Sequence, residues 1–320
     1  MKKEFLFKNL IETLQDRIPQ RGKLADVLTE LLGIEKEAVY RRLRGAVPFS
    51  FLEIRAIANY MGLSLDSIAE NISSGSRQMT VLMTKFLEPQ EEDYKKLEDF
   101  TVSIHNLKEN ADSEAGAIGS IIPSSLCVAY EYIYKFYLFK LSYQFGNPQK
   151  IKSYSDTKIP EGMKLINREF VDGVHSSPKS IYIIDRRVIE YFVNDIHFFF
   201  DIRLITREDI LMLKDDLNIL INDLERYAIN GHFDTGNKVD IYLANVHIDA
   251  NFNYIDAKNC QLTMMRTFAF GDSYSFDGVI FQNMKNWLNF LKRTSTLISG
   301  GNTAERINFF DQQRKIIETL

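Results

Sequence analysis

Five side chains between residues 36 and 44 carry the densest potential chemistry in this chain: Lys36, Glu37, Tyr40, Arg41 and Arg44. At about 100° per helical residue they fall within an arc of roughly 140°, while Val39 and Leu43 fall outside it. Three cations, a carboxylate and a phenol would therefore share one face of a short helix. A guanidinium fork matches O6 and N7 of guanine, and each good pair gives about 1–3 kcal/mol of base discrimination. A phenol meets a thymine methyl or a phosphate, and a carboxylate accepts from a cytosine amine. Glu37 also suits the positive start of the helix dipole. Arg42 points away from this face, toward a phosphate or an acidic neighbour.

Such a face works only if something holds it at a fixed angle. Residues Ala25 to Gly45 read as two short helices around a turn at Gly33. Leu28 and Leu32 point inward from the first helix, Gly33 supplies positive φ, Ile34 plugs the angle, and Val39 and Leu43 anchor the second helix. Phe5, Leu6, Leu10, Ile11 and Leu14 recur at helical spacing and give a preceding amphipathic helix that stops before Pro19. After Gly45, Val47-Pro48-Phe49-Ser50 is a stop and restart. Ser50 caps a fourth helix that buries Ile54, Ile57, Ala58 and Met61. Gly62 ends that helix, and Ser64 begins a fifth.

The run LLGIEKEAVYRRLRG followed by PFSFLEIRAIANYMGLSLDSI resembles the Cro/phage-repressor (XRE-type) helix-turn-helix family over about residues 5–70. The resemblance implies that the helix Glu35–Arg44 enters the major groove of double-stranded DNA. By position, Lys36, Glu37, Tyr40, Arg41 and Arg44 then face the bases. Thr29 stands where that family commonly has a small alanine, Glu35 where it has a serine-like cap, and Arg42 at a commonly apolar site. The expected function is a sequence-specific, bacterial-type transcriptional regulator. Because one such domain covers a half-site, a homodimer is expected as well. The alternative is an interaction adaptor that keeps the fold without reading DNA.

Other motifs point to weaker chemistry. Phe270-Gly271-Asp272-Ser273-Tyr274-Ser275 resembles the nucleophile block of GDSL-type esterases, which needs a histidine to take the serine proton. No histidine follows His247, so a strand-ending turn is preferred and a serine esterase is a remote alternative. Asp234-Thr235-Gly236 matches one copy of the aspartic-protease triplet, but Asn237 follows it and the turn reading is preferred. The histidines His105, His175, His197, His232 and His247 show no metal-binding spacing, although His247-x-Asp249 on a strand could hold an ion. Gly-rich phosphate loops are absent. No enzyme, cofactor or metal is expected.

Composition sets the frame. The 320 residues are 45% apolar and 26% charged with seven prolines, which describes an ordered chain of two or three units. Through Gln78 there are 12 Lys+Arg against 10 Asp+Glu, and beyond it 27 against 33. A slightly basic head on an acidic body permits DNA contact without establishing it. Two distant cysteines, Cys127 and Cys260, fit a reducing cytoplasm, and neither a signal peptide nor a membrane span is expected.

The expected organisation is a helix-turn-helix domain at 1–72, a linker at 73–88, and an α+β body at 89–320 with a possible subdivision near 180–205. That body is expected to dimerise and to take an unidentified small-molecule or protein effector. Its fold is expected to be mainly α with a small antiparallel sheet. Helices are expected over Glu91–Glu109, Leu126–Phe145, Val188–Phe200, Thr206–Tyr227, Gly278–Thr296 and Thr303–Ile317. Alternation at Val239, Ile241 and Leu243, and at Leu262, Met264, Phe268 and Phe270, predicts the strands. The aromatic run Tyr130–Phe145 serves either core packing or a ligand pocket.

Overall fold

A computed structural model describes residues 2–18, 20–61, 79–82, 88–146, 153–258, 260–267 and 271–320. Contacts divide the chain into two units, Met1–Thr80 and Val81–Leu320.

The first unit contains α1 (Lys2–Arg17), α2 (Arg21–Leu32), α3 (Lys36–Leu43) and α4 (Phe51–Met61). Apolar residues three and four apart put one stripe of each helix inward. Leu10 and Leu14 of α1, Leu24, Ala25 and Leu28 of α2, Val39 and Leu43 of α3, Phe49 and Ile57 form one core. Leu32, Ile34 and Tyr40 pack on it half-buried. The expected fifth helix from Ser64 and the polar stretch 71–78 lie outside the described residues, as do Pro19 and Gly62.

The second unit is built on a sheet whose strands are β1 (Thr80–Leu82), β2 (Glu114–Gly119), β3 (Lys179–Asp185), β4 (Lys238–Ala244), β5 (Asn251–Ala257), β6 (Cys260–Thr267), β7 (Gly271–Ser275) and β8 (Ser295–Leu297). Their order is β1-β7-β6-β5-β2-β3-β4-β8. The helices are α5 (Glu91–His105), α6 (Ser124–Cys127), α7 (Glu131–Phe145), α8 (Glu161–His175), α9 (Val188–Asp201), α10 (Arg207–Asn230), α11 (Gly278–Thr294) and α12 (Thr303–Glu318). Strand β1 falls inside the stretch expected to be a linker. The stretch 180–205 holds β3 and α9.

This corrects the expected small antiparallel sheet: among the described residues it has eight strands and is mixed. Strands β2, β3 and β4 run parallel, β5 to β7 continue antiparallel from β2, and β8 pairs antiparallel with β4. Parallel neighbours need long crossovers, here α6 to α8 and then α9 and α10. The physical reason β2 and β3 escape sequence patterning is that both of their faces are covered. Ala117, Tyr182 and Ile184 enter the core under α7, α9, α10 and α12. Ile118, Ile181 and Ile183 enter the opposite core under α11. A strand buried on both sides reads as an unbroken apolar run, without alternation.

The helix ends are held by specific side chains. Thr206 and Asp209 form a reciprocal capping box at the start of α10, and Asp277 accepts from two N–H groups at the start of α11. Asp216 of α10 accepts from the N–H groups of Tyr132 and Ile133, so it caps α7 from 84 residues away. The aromatic run lies in α7, where Phe136 and Phe139 meet Phe192, Phe199 and Tyr154 edge-on or tilted. These rings are core. Beside Ile184 and Phe309 lies an apolar cavity of about 10 Å³, the room of one water-sized sphere. Among the described residues no helix is long and apolar enough to cross a membrane.

The α11 face of the sheet ends in charge. Register sets Glu114 opposite Lys179 on β3 and Asp256 on β5. The Glu114 carboxylate accepts from Lys179 at 2.6 Å, Lys285 at 2.8 Å and the Tyr254 hydroxyl at 2.7 Å. Tyr254 reaches it because its ring crosses Gly116, where a Cβ would come within 2.5 Å of the ring and of the Ile181 carbonyl. Burial alone would raise the Glu114 carboxyl. The three hydrogen bonds outweigh it and hold the group at about 2.

Candidate nucleic-acid interface

The turn between α2 and α3 is set by backbone geometry. Helix α2 ends at Gly33, whose φ of 61° is left-handed and whose N–H donates to the Thr29 carbonyl at 3.0 Å. Among the described residues nothing lies within 4 Å of a Cβ placed there, so glycine is needed for its φ and not for space. Thr29, unusual at its site, donates its hydroxyl to the Ala25 carbonyl at 2.8 Å and is satisfied within its own helix. Glu35 is the N-cap of α3 but makes no side-chain cap bond. The expected span Glu35–Arg44 is thus α3 with its two cap residues.

Helix α3 buries Val39 and Leu43 and exposes Lys36, Glu37, Arg41 and Arg44. Tyr40 is half-buried, its ring against the core of the unit. All five anticipated residues therefore lie on or beside one outward face. Two of its cations are already paired. Lys36 donates to Asp26 of α2, a hydrogen bond that raises its ammonium above the ordinary lysine range. Arg44 donates to Glu37 at 2.9 Å across two helical turns. Among the described residues, the Arg41 guanidinium has no ion pair.

Arg42 turns to the protein. Its guanidinium lies 2.9 Å from Glu53 of α4, with the side chains only 18% and 16% exposed. Glu53 also accepts from the Ser50 N–H at 2.7 Å, while Ser50 Oγ accepts from the Glu53 N–H at 3.2 Å. The expected Ser50 cap is thus half of a capping box, and its other half, Glu53, holds Arg42 of α3. Burial pushes the Glu53 carboxyl up, but the bonds from Arg42 and Ser50 prevail and lower it. The signal available in the sequence was the Ser50-x-x-Glu53 spacing. Its connection to Arg42 was not legible.

Residues 2–91 match the BetR domain. This is a helical domain family associated with DNA binding, and the match covers α1 to α4 with the whole α2–Gly33–α3 arrangement. The match is to BetR rather than to the Cro/phage-repressor family itself. No curated protein and no solved structure matches the chain.

Outside the segment that matches the BetR domain the other motifs have structural partners. Asp234 pairs with Arg226 at 3.0 Å, and Thr235 donates to the His175 carbonyl at 2.5 Å, so the triplet forms the turn into β4. Asp272 pairs with Arg266 at 3.3 Å, and Ser273 is buried on β7 opposite Met265. Among the described residues, no histidine nitrogen is bonded to Ser273. His247 lies 3.6 Å from Asp249 and 4.0 Å from Asp185, and no group of three or more His, Cys, Asp or Glu in the described residues is arranged to hold a metal. Burial pushes the Cys127 thiol up to about 12, far from the thiolate a nucleophile needs.

Proposed function

We propose that this chain is a sequence-specific DNA-binding transcriptional regulator that lays α3 in the major groove, as the Cro/phage-repressor proteins it resembles do. The supporting observation is the single outward face of Lys36, Glu37, Tyr40, Arg41 and Arg44, held by a left-handed turn and a second helix inside a BetR segment. In this geometry α2 crosses the phosphate backbone and braces α3, whose residues reach base edges. Two chains act together in this reading, because one domain covers a half-site, and the second unit pairs them.

Selection of bound sequences from random duplex DNA tests the reading. The expected result is a palindromic consensus, bound with an affinity that falls steeply as salt rises. Recovery of no consensus, with binding insensitive to salt, rejects it. A clean monomer by light scattering, with and without the selected duplex, rejects the dimer.

The second reading, an interaction adaptor that keeps this fold, is favoured by the pairing of Lys36 and Arg44 with carboxylates of the chain itself. The same salt titration separates the two, because an adaptor gives no duplex binding to lose.

A further inference from the structure

The carboxylates that pair with the α3 cations occupy a meaningful place. Glu37 lies on the face carrying Tyr40, Arg41 and Arg44, and its carboxylate accepts from Arg44 at 2.9 Å. Asp26 reaches Lys36 from α2, ten residues earlier. Both pairs are exposed, with side chains about half or more open to solvent. In water such pairs are weak and open readily, so they do not block a duplex. Against DNA their effect changes. A cation that meets a phosphate gains by releasing condensed counterions, but a cation already neutralised by its own carboxylate releases fewer. Its carboxylate is then left facing phosphate.

Resting on the DNA-reading function above, we infer that Glu37 is a specificity-determining residue and Asp26 an affinity-lowering one: both are built-in counterions that penalise binding to arbitrary duplex. The penalty is uniform over sequence for Asp26, which faces Lys36 from α2. For Glu37 it is selective. Where the groove presents a cytosine amine, the Glu37 carboxylate accepts from it and Arg44 is released to a guanine edge or a phosphate. Elsewhere the carboxylate has no donor except Arg44, and that cation stays occupied. One acidic residue thereby weakens every wrong site more than the right one. Arg41, which has no ion pair among the described residues, carries the unpenalised part of the attraction.

The test uses the full chain, a labelled duplex of random sequence and the selected consensus duplex, with binding followed by anisotropy over a salt series. Glu37→Gln and Asp26→Asn are each expected to bind random duplex about two- to fivefold more tightly than the parent, the range an exposed ion pair supplies. Each should also steepen the salt slope by roughly one. For Glu37→Gln the preference for the consensus over random duplex should fall. Glu30→Gln, on α2 and without an ion pair among the described residues, makes the same charge change as the control. Helix content by circular dichroism confirms that the variants are folded. Unchanged or weaker random-duplex binding by the two variants overturns the inference while leaving DNA reading intact. An equal gain from Glu30→Gln does the same, since net charge alone would then explain the effect. A parent that binds no duplex at all overturns the DNA reading and this inference with it.

Discussion

Arg42 and Glu53 form a 2.9 Å ion pair, more than four-fifths buried, between α3 and α4. It joins the helix whose face points outward to the helix that follows it, through the same carboxylate that closes the Ser50 capping box. Arg42 also donates to the Ala38 carbonyl at 3.3 Å, and its Nε is buried without a partner among the described residues. A guanidinium so enclosed depends on its carboxylate.

Replacing Glu53 by Gln is therefore expected to cost about 1.5–3 kcal/mol, the range for losing a charged hydrogen bond. The loss should appear in the urea transition of the first unit. Arg42→Met combined with Glu53→Gln should recover part of it, because the stranded charge goes too. Two single losses that simply add would show that the residues do not act as a pair.

Gly33→Ala is expected to destabilise the first unit by roughly 1–2 kcal/mol, since an L residue must take φ near +61° there. Gly33→Asn should cost less, because asparagine tolerates that region better. No steric clash contributes, as the space around the Cβ is open. Equal melting temperatures for the alanine variant and the parent would contradict the assigned turn.

Two substitutions separate reading from support on α3. Arg41 is exposed, so Arg41→Ala should leave the stability within about 0.5 kcal/mol of the parent's. It should still weaken the selected duplex through the loss of about 1–3 kcal/mol of discrimination. Tyr40→Phe keeps the half-buried ring and removes the hydroxyl alone, so a change in DNA affinity without a change in stability assigns that hydroxyl to the duplex. Anisotropy and thermal melting on the same samples decide both.

The Glu114 cluster predicts an acid transition of the second unit. A carboxyl held at about 2 when folded and near 4.5 when unfolded contributes its full stabilisation above about pH 4.5. That contribution, on the order of 3 kcal/mol, is lost as pH falls from about 4.5 toward 2. Glu53 is also lowered, so its contribution to the first unit has the same sign and fades below the ordinary carboxylate range. Glu114→Gln should flatten the acid limb of a stability–pH curve for the second unit. An unchanged curve would show that the cluster adds nothing.

Much of the first unit is legible residue by residue because its determinants are local. The left-handed turn needs Gly33, the α4 start needs Ser50 three residues before Glu53, and helical spacing assigns Leu28, Val39, Leu43 and Ile57 to the inside. The helices α9, α10 and α11 are legible for the same reason, since a periodic stripe or a cap marks each.

The sequence by itself determined the turn, the Ser50 cap, the inward stripes and the five residues of the outward α3 face. Only the tertiary structure decided who pairs with whom. Lys36 with Asp26, Arg42 with Glu53, and Glu114 with Lys179, Tyr254 and Lys285 join residues ten to 171 positions apart. Strands β2 and β3 of the parallel core were likewise invisible in pattern, while β4 was visible as a strand but not as a parallel one. Periodicity records a boundary between protein and water, and a strand buried on both faces has no such boundary to record.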